Sequence, residues 1–171
     1  MGMVAGGVMA KISFKGLSVY FEKLQQMERH FLKDSTIEKA VHAGAAIVAD
    51  KVRSNLDALP EEEFKHLQEG DIFHGIPKGQ KKDLQDSFGL APILRDKTGF
   101  VGTKAGFDGY GSFPTAEYPK GVPNQLVAAA TESGSSVRQK MPFVRPAVNA
   151  VRKEAIQAME DVVDSEFEKI F

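Results

Sequence analysis

The 171-residue chain contains no cysteine, carries almost no net charge and has no long apolar run. Without cysteine it has neither disulfides nor thiolate ligands for zinc, and a cysteine nucleophile is excluded. The formal net charge of −1 gives the whole molecule no attraction for DNA or for an anionic membrane. No apolar run approaches the length of a membrane-spanning helix, so we expect no membrane partner. What is present, 42% hydrophobic residues with 12 phenylalanines, is enough for one globular core.

The chain begins with a small and apolar segment, Met1 to Ala10. No basic residue precedes its apolar stretch, and Lys11 ends it too early for a secretory signal. Met9-Ala10-Lys11 resembles a natural start, so we expect residues 1–10 to form a disordered extension. The length then predicts a single domain over residues 11–171.

Three segments have the apolar spacing of amphipathic helices. The first covers about residues 18–32. The second begins with the capping box Ser35-Thr36-Ile37-Glu38 and ends at Pro60, and its small residues at 44–46 predict a close crossing with another element. The third starts at Pro146, which suits the first helical position. The second half of this last helix is acidic, which opposes the helix dipole, so we expect a partner to stabilise that end.

Strands are predicted between the second and third helices. Phe88–Arg95 and Phe100–Lys104 are joined by Asp96-Lys97-Thr98-Gly99, a sequence typical of a hairpin turn. Residues 82–88 are ambiguous, and a further strand is predicted over Gln125–Thr131. This order of elements predicts an α+β fold, a small antiparallel sheet with helices packed on one face and a long C-terminal helix.

Two prolines, Pro142 and Pro146, precede and open the last helix. The residue before a proline avoids helical geometry, so the chain should be extended here. We expect the ring of Phe143 to turn inward and pack on the second helix near residues 44–46. Arg145 should be exposed or paired with an acid.

Residues that could catalyse a reaction or bind a metal form no recognised motif. The four histidines, at positions 30, 42, 66 and 74, lack the close spacing of a helical metal-binding pair. Gly99–Lys104 has the wrong glycine spacing for a phosphate loop, and no serine lies in the setting of an esterase nucleophile. We therefore expect no catalytic residue, no cofactor and no metal.

The segment from Ala105 to Pro123 is rich in glycine, proline and aromatic residues and predicts a long irregular loop. Aromatic residues are typical of protein interfaces, whereas a site for single-stranded nucleic acid would also need a basic groove. A protein contact is therefore favoured over a loop packed on itself and over a nucleic-acid site.

Several short segments, in their order and spacing, carry a resemblance to a known family. They are Ile12-Ser13-Phe14-Lys15-Gly16-Leu17, the second helix with Asn55 and the following Pro60, Lys82-Asp83-Leu84-Gln85-Asp86-Ser87, Glu132-Ser133-Gly134-Ser135 and Met141-Pro142-Phe143-Val144-Arg145-Pro146-Ala147. Over about residues 11–171 the chain resembles the tail-completion or neck proteins of siphophages, small subunits that connect head and tail. The last segment, similar to that family's Pro-Phe-Leu-Arg-Pro-Ala, is the sharpest match.

The resemblance implies a structural virion protein without catalysis, which forms a ring with the sixfold symmetry of phage tails at the head–tail junction. The implied partners are further copies of this chain, the head-closure or adaptor connector protein, and the tail terminator or tail tube protein. DNA would pass through the ring without specific binding, and assembly would take place in the cytoplasm of the bacterial host. The chain departs from the family pattern at Gln85 and Ser133, and residues 105–123 look like an insertion. These departures affect the expected partner surface more than the expected fold.

Two other interpretations stay open. A tail terminator or minor tail protein would share the fold class and the partners. A phage-encoded enzyme or nucleic-acid-binding module would instead require a buried ionisable cluster in a cleft. The candidate interface residues are the loop aromatics and three charged residues near the last motifs: Phe107, Tyr110, Phe113, Tyr118, Glu132, Arg138 and Arg145.

Overall fold

The computed structural model describes residues 17–32, 35–63 and 70–169, and within them five helices and four short strands. The helices are α1 (Leu17–Leu32), α2 (Ser35–Asp57), α3 (Lys78–Ser87), α4 (Asn124–Ser133) and α5 (Val144–Glu168). The strands are β1 (Phe88–Leu90), β2 (Leu94–Arg95), β3 (Val101–Gly102) and β4 (Ala105–Phe107). The predicted α+β class is confirmed. The N-terminal extension, expected over residues 1–10, lies outside the described residues.

The two long helices α2 and α5 pack extensively against each other. Gly44 of α2 allows the close approach, because a Cβ there would lie 2.7 Å from Cγ of Met159 and 3.1 Å from the carbonyl oxygen of Ala155. The close crossing predicted from the small residues at 44–46 is therefore confirmed. The buried positions of α2 follow one helical face: Thr36, Ala40, Gly44, Ala49, Val52 and Leu56.

The four strands form two antiparallel two-stranded sheets within residues 88–107, a segment that we call the β-arm. β1 pairs with β4 and β2 pairs with β3. Between these pairs the N–H of Ala91 donates to the carbonyl of Lys104 at 2.7 Å. The continuous strand predicted over 88–95 is interrupted because Pro92 has no N–H to donate. The predicted turn at residues 96–99 is confirmed, with the N–H of Gly99 bonded to the carbonyl of Asp96 at 3.1 Å.

The strand predicted over Gln125–Thr131 is wrong, because these residues lie in α4. Three consecutive alanines, the best helix formers, stand at 128–130. The buried residues Asn124, Val127, Ala128 and Thr131 have helical rather than alternating spacing. The ambiguous residues 82–88 lie mainly in α3, with Phe88 opening β1.

The last helix begins two residues earlier than predicted, at Val144, so Pro146 is its third residue and not its first. The missing N–H of Pro146 still falls in the first turn, where backbone donors have no partner within the helix.

The core lies where α2, α3, α4 and the start of α5 meet the base of the β-arm. Its buried members are Ala49, Val52, Leu56, Ile76, Leu84, Phe88, Val127, Ala128, Phe143 and Ala147. Among the described helices, none is both long and apolar enough to cross a membrane.

Candidate protein-interface site

Glu132, at the end of α4, caps the first turn of α5. Its Oε2 accepts the backbone N–H groups of Phe143 at 2.7 Å and Val144 at 2.9 Å, and its Oε1 accepts that of Arg145 at 3.0 Å. The first N–H groups of a helix have no partner within the helix, and a carboxylate there also complements the positive end of the helix dipole. Glu132 therefore joins α4 to α5 through backbone groups.

The pKa of Glu132 reflects this geometry. Burial raises the pKa of its carboxyl group, but the three backbone N–H groups and the positive charge of Arg145 outweigh it. The pKa of Glu132 consequently lies below its ordinary value, and the side chain is a carboxylate at neutral pH.

Phe143 is held at the same place by its ring and its backbone. Its side chain is 1% exposed, and its ring lies edge-on to that of Phe107 with centroids 5.9 Å apart. Nδ2 of Asn55 donates to the carbonyl oxygen of Phe143 at 3.0 Å. The inward orientation predicted for Phe143 is confirmed. The position predicted along α2 is wrong, because Phe143 joins the core beside Asn55, whereas Gly44 faces Met159.

We call this group of Asn55, Glu132 and Phe143–Arg145 the α5 junction. Beside it lies a cavity of ≈ 350 Å³, lined by Glu132, Ser133, Lys140, Pro142, Arg145, Pro146 and Asn149. The side chain of Arg145 is exposed at its rim. The junction therefore places two of the predicted interface residues, Glu132 and Arg145, next to a concave surface.

Two other predicted interface residues are used inside the protein. Arg138 is 8% exposed, and its guanidinium donates to Oγ1 of Thr131 and to Oε1 of Gln80, both at 2.7 Å. Burial lowers the pKa of Arg138. Phe107 is half-buried, with its ring 5.0 Å from that of Phe88. These two side chains bond to or pack on residues of the same chain and so stabilise the fold, and an interface role for either stays a prediction.

The segment at 108–123 is tied to the domain more closely than its glycine content predicts. Asp83 of α3 accepts the N–H of Ser112 at 2.7 Å and its hydroxyl at 2.5 Å. The N–H of Gly111 donates to the carbonyl of Val122 at 2.8 Å, and a Cβ on Gly121 would lie 1.9 Å from the carbonyl oxygen of Gly111. The loop thus has a fixed, self-packed base.

Two aromatic side chains of this loop stay accessible. Tyr110 is 60% exposed and Phe113 is 58% exposed, the latter with its ring over Gly79 at the start of α3. Tyr118 is half-buried. The structure thus leaves Tyr110 and Phe113 available for a contact, although it brings neither to the α5 junction by any described bond.

The most exposed large apolar side chains of the β-arm were missed from the sequence. They are Leu94, at 69%, and Phe100, at 71%. A signal was present, since Phe100 follows the turn glycine and Leu94 lies shortly before the turn, where a hairpin tip is exposed on both sides.

The described residues offer little for chemistry. Within residues 17–32, 35–63 and 70–169, no three histidine or acidic side chains are grouped so that they could hold a metal ion. His42 is exposed, and His74 is bonded to Gln139. His66 lies outside the described residues, as does the side chain of His30.

No model of a known protein family, no curated protein and no solved structure matches this chain.

Proposed function

We propose that this chain is a structural subunit of a long-tailed bacteriophage, a neck or tail-completion protein that joins head to tail as part of a ring. In this proposal the protein acts by binding its neighbours in the virion and catalyses no reaction. The neighbours are further copies of itself, the head connector on one side and the tail terminator or tail tube on the other.

The α5 junction is the observation that supports this proposal best. Three of the segments that carry the sequence resemblance contribute to it: Asn55 at the end of the second helix, Glu132, and the motif around Phe143. Glu132 and Asn55 are 11 and 88 residues from Phe143, yet both bind its backbone. Short motifs that match by chance would have no reason to meet at one turn of the chain. Because these residues contact one another, there is a physical reason for the three segments to occur in one chain.

The exposed side chains fit a binding role. Contiguous exposed apolar patches mark interaction sites, and aromatic residues are enriched at protein interfaces. On the described surface such side chains occur on the β-arm, on the 108–123 loop and on α5, as Phe100, Phe113 and Ile156 illustrate.

The proposal is tested by examining phage particles made without this chain. In the phage or prophage that encodes it, deletion of the gene should give DNA-filled heads and separate tails, seen by electron microscopy, with infectivity restored by expression of the wild-type protein. Purified protein should form rings, alone or with the head connector. Deletion that leaves joined, infectious particles would refute the proposal.

Labelling the protein in intact virions separates the tail-terminator alternative. A label at the neck supports the proposal. A label confined to the upper end of isolated tails, with heads that close normally without the protein, would favour a tail terminator instead.

A further inference from the structure

The tip of the β-arm, residues 94–104, presents an apolar surface on a stiff turn. Leu94 lies directly opposite Gly102, so both occupy one face of the ribbon. The ring of Phe100 covers Gly102, with Cε1 3.0 Å from where a Cβ would stand. Leu94 and Phe100 therefore form one patch, while Val101, on the other face, is buried at 8% exposure.

Hydrogen bonds within the turn hold this patch in place. Oδ1 of Asp96 accepts the N–H of Thr98 at 2.8 Å, its hydroxyl at 2.6 Å and the N–H of Phe100 at 3.0 Å. The hydroxyl of Thr98 lowers the pKa of Asp96 most, with further lowering by these backbone groups. A pre-formed turn loses little conformational freedom on binding, which favours its use as a contact.

The arm tip is also basic. Lys97 and Lys104 are exposed, and the one acid of the tip, Asp96, is occupied in the turn. Arg95 is exposed as well, but it lies opposite Val101 and therefore on the other face of the ribbon. Within the described part of the chain, neither Lys97 nor Lys104 forms an ion pair. The apolar patch is thus accompanied by positive charge.

The C-terminal half of α5 has the opposite character. No lysine or arginine occurs between Lys153 and Lys169. Ile156 is 49% exposed there, and four acidic side chains are exposed: Glu160, Asp161, Asp164 and Glu168. The negative end of the helix dipole adds to this charge. Lys39 and Lys169 pair with Glu166 of this segment, at 3.7 Å and 2.7 Å, whereas the four exposed acids form no salt bridge with the described residues. We call residues 156–168 the acidic end of α5.

We propose that the arm tip of one copy docks on the acidic end of α5 of a second copy. This rests on the proposed function, and it names the contact that would build the ring. The surfaces are complementary in charge, each contains at least one exposed apolar side chain, and both belong to the same chain of nearly zero net charge. A contact between two different surfaces can repeat from one copy to the next and close into a ring, as the proposed function requires.

A charge swap between the two surfaces tests the docking. The arm variant is Lys97→Glu with Lys104→Glu, and the α5 variant is Glu160→Lys with Asp164→Lys. Self-association is measured by light scattering after size exclusion and by electron microscopy. Each variant alone should associate more than about tenfold more weakly than wild type, because like charges then face each other. An equimolar mixture should assemble again, since every contact in an alternating ring is once more between opposite charges.

Four further measurements accompany the swap. Lys153→Glu and Glu117→Lys reverse exposed charges outside both surfaces and should leave assembly unchanged. Thermal melts of every variant should match wild type, since the altered side chains are exposed. Phe100→Ser should weaken assembly without lowering the melting midpoint, and raising the salt from about 0.15 M to about 1 M should weaken the wild-type contact.

The outcomes separate this inference from the proposed function. Wild-type rings that the charge reversals leave intact, or variants whose mixture stays dissociated, would overturn the arm-to-α5 contact while a role at the head–tail junction stands. A wild-type protein that stays monomeric even with the head connector present would also overturn it. Normal joined virions without the protein would refute the proposed function itself.

Discussion

Two phenylalanines show how differently the α5 junction and the arm tip are built. Phe143 is 1% exposed, and side chains from two helices bind its backbone N–H and carbonyl groups. Phe100 is 71% exposed and covers a glycine of its own hairpin. The junction uses its residues to fix the fold, whereas the arm tip is rigid but leaves its apolar surface free. The same substitution should therefore lower stability when it is made in the α5 junction and weaken assembly when it is made in the arm tip.

The largest effect is expected from Phe143→Ala. The side chain is buried against the rest of the core, so its removal should lower the free energy of unfolding by about 3–5 kcal/mol. Chemical denaturation at neutral pH measures this. The matched variant Phe100→Ala removes the same atoms from an exposed ring and should change stability by less than about 0.5 kcal/mol. Equal stability losses at the two positions would contradict the difference drawn between the regions.

A second pair of variants compares a glycine packed inside the 108–123 loop with a glycine in the exposed turn of the β-arm. Gly121 has φ +99°, and a Cβ there would collide with the carbonyl oxygen of Gly111. Gly99, in the arm turn, has φ +86° but open space around it. Gly121→Ala should destabilise by about 1–3 kcal/mol from backbone strain, with the contact added to it. Gly99→Ala carries the conformational cost alone and should lose less. A larger loss for Gly99→Ala in denaturant melts would show that the 108–123 loop yields easily.

Local sequence patterns predicted the long helices and the hairpin turn. Apolar spacing and the capping box predicted α1 and α2, because both signals depend on neighbours within one or two turns. Residues 96–99 predicted a turn because Asp96 bonds its own following backbone groups. Such features need no knowledge of distant residues.

Features that depend on distant residues were missed. The helical α4 was mistaken for a strand because a short apolar run fits both, and the burial of Thr131 and Val127 on one face decides between them. Arg138 was expected at the surface, yet Gln80, 58 residues away, accepts its guanidinium. No local pattern indicated the bond between Glu132 and the start of α5, since capping usually comes from the residue just before a helix. The interface itself stays a prediction.

A smaller effect, dependent on pH, is expected from Glu132→Gln. Folding lowers the pKa of Glu132 below its ordinary value of 4.5, so its stabilising effect is complete above that pH and is lost as the pH falls through the folded pKa. At neutral pH the glutamine variant should be less stable than wild type by about 0.5–2 kcal/mol, the usual effect of losing a cap. The difference between the two proteins should shrink below pH 4.5.

The control for this measurement is Glu154→Gln, an exposed acid of α5, the helix that Glu132 caps. Its melts should follow those of wild type at every pH, because its charge caps no helix. If the gap between wild type and Glu132→Gln were the same at acidic and neutral pH, the carboxylate charge would not be what stabilises the start of α5.

The smallest effect is expected from Arg145→Ala. Arg145 is exposed, and its charge acts on stability through Glu132, whose pKa it helps to lower. At neutral pH the variant should lose no more than about 1 kcal/mol, as exposed pairs do. Without the positive charge, the pKa of Glu132 rises towards its ordinary value, so stability should begin to fall at a higher pH.

Arg145→Lys keeps the charge and should behave as wild type. In a Glu132→Gln background the acid shift should vanish, because the group that Arg145 acts on no longer titrates. If Arg145→Ala melts normally at neutral pH but fails to complement a deletion phage, its side chain is needed for assembly. A loss of several kcal/mol at neutral pH would instead place Arg145 among the residues that fix the fold.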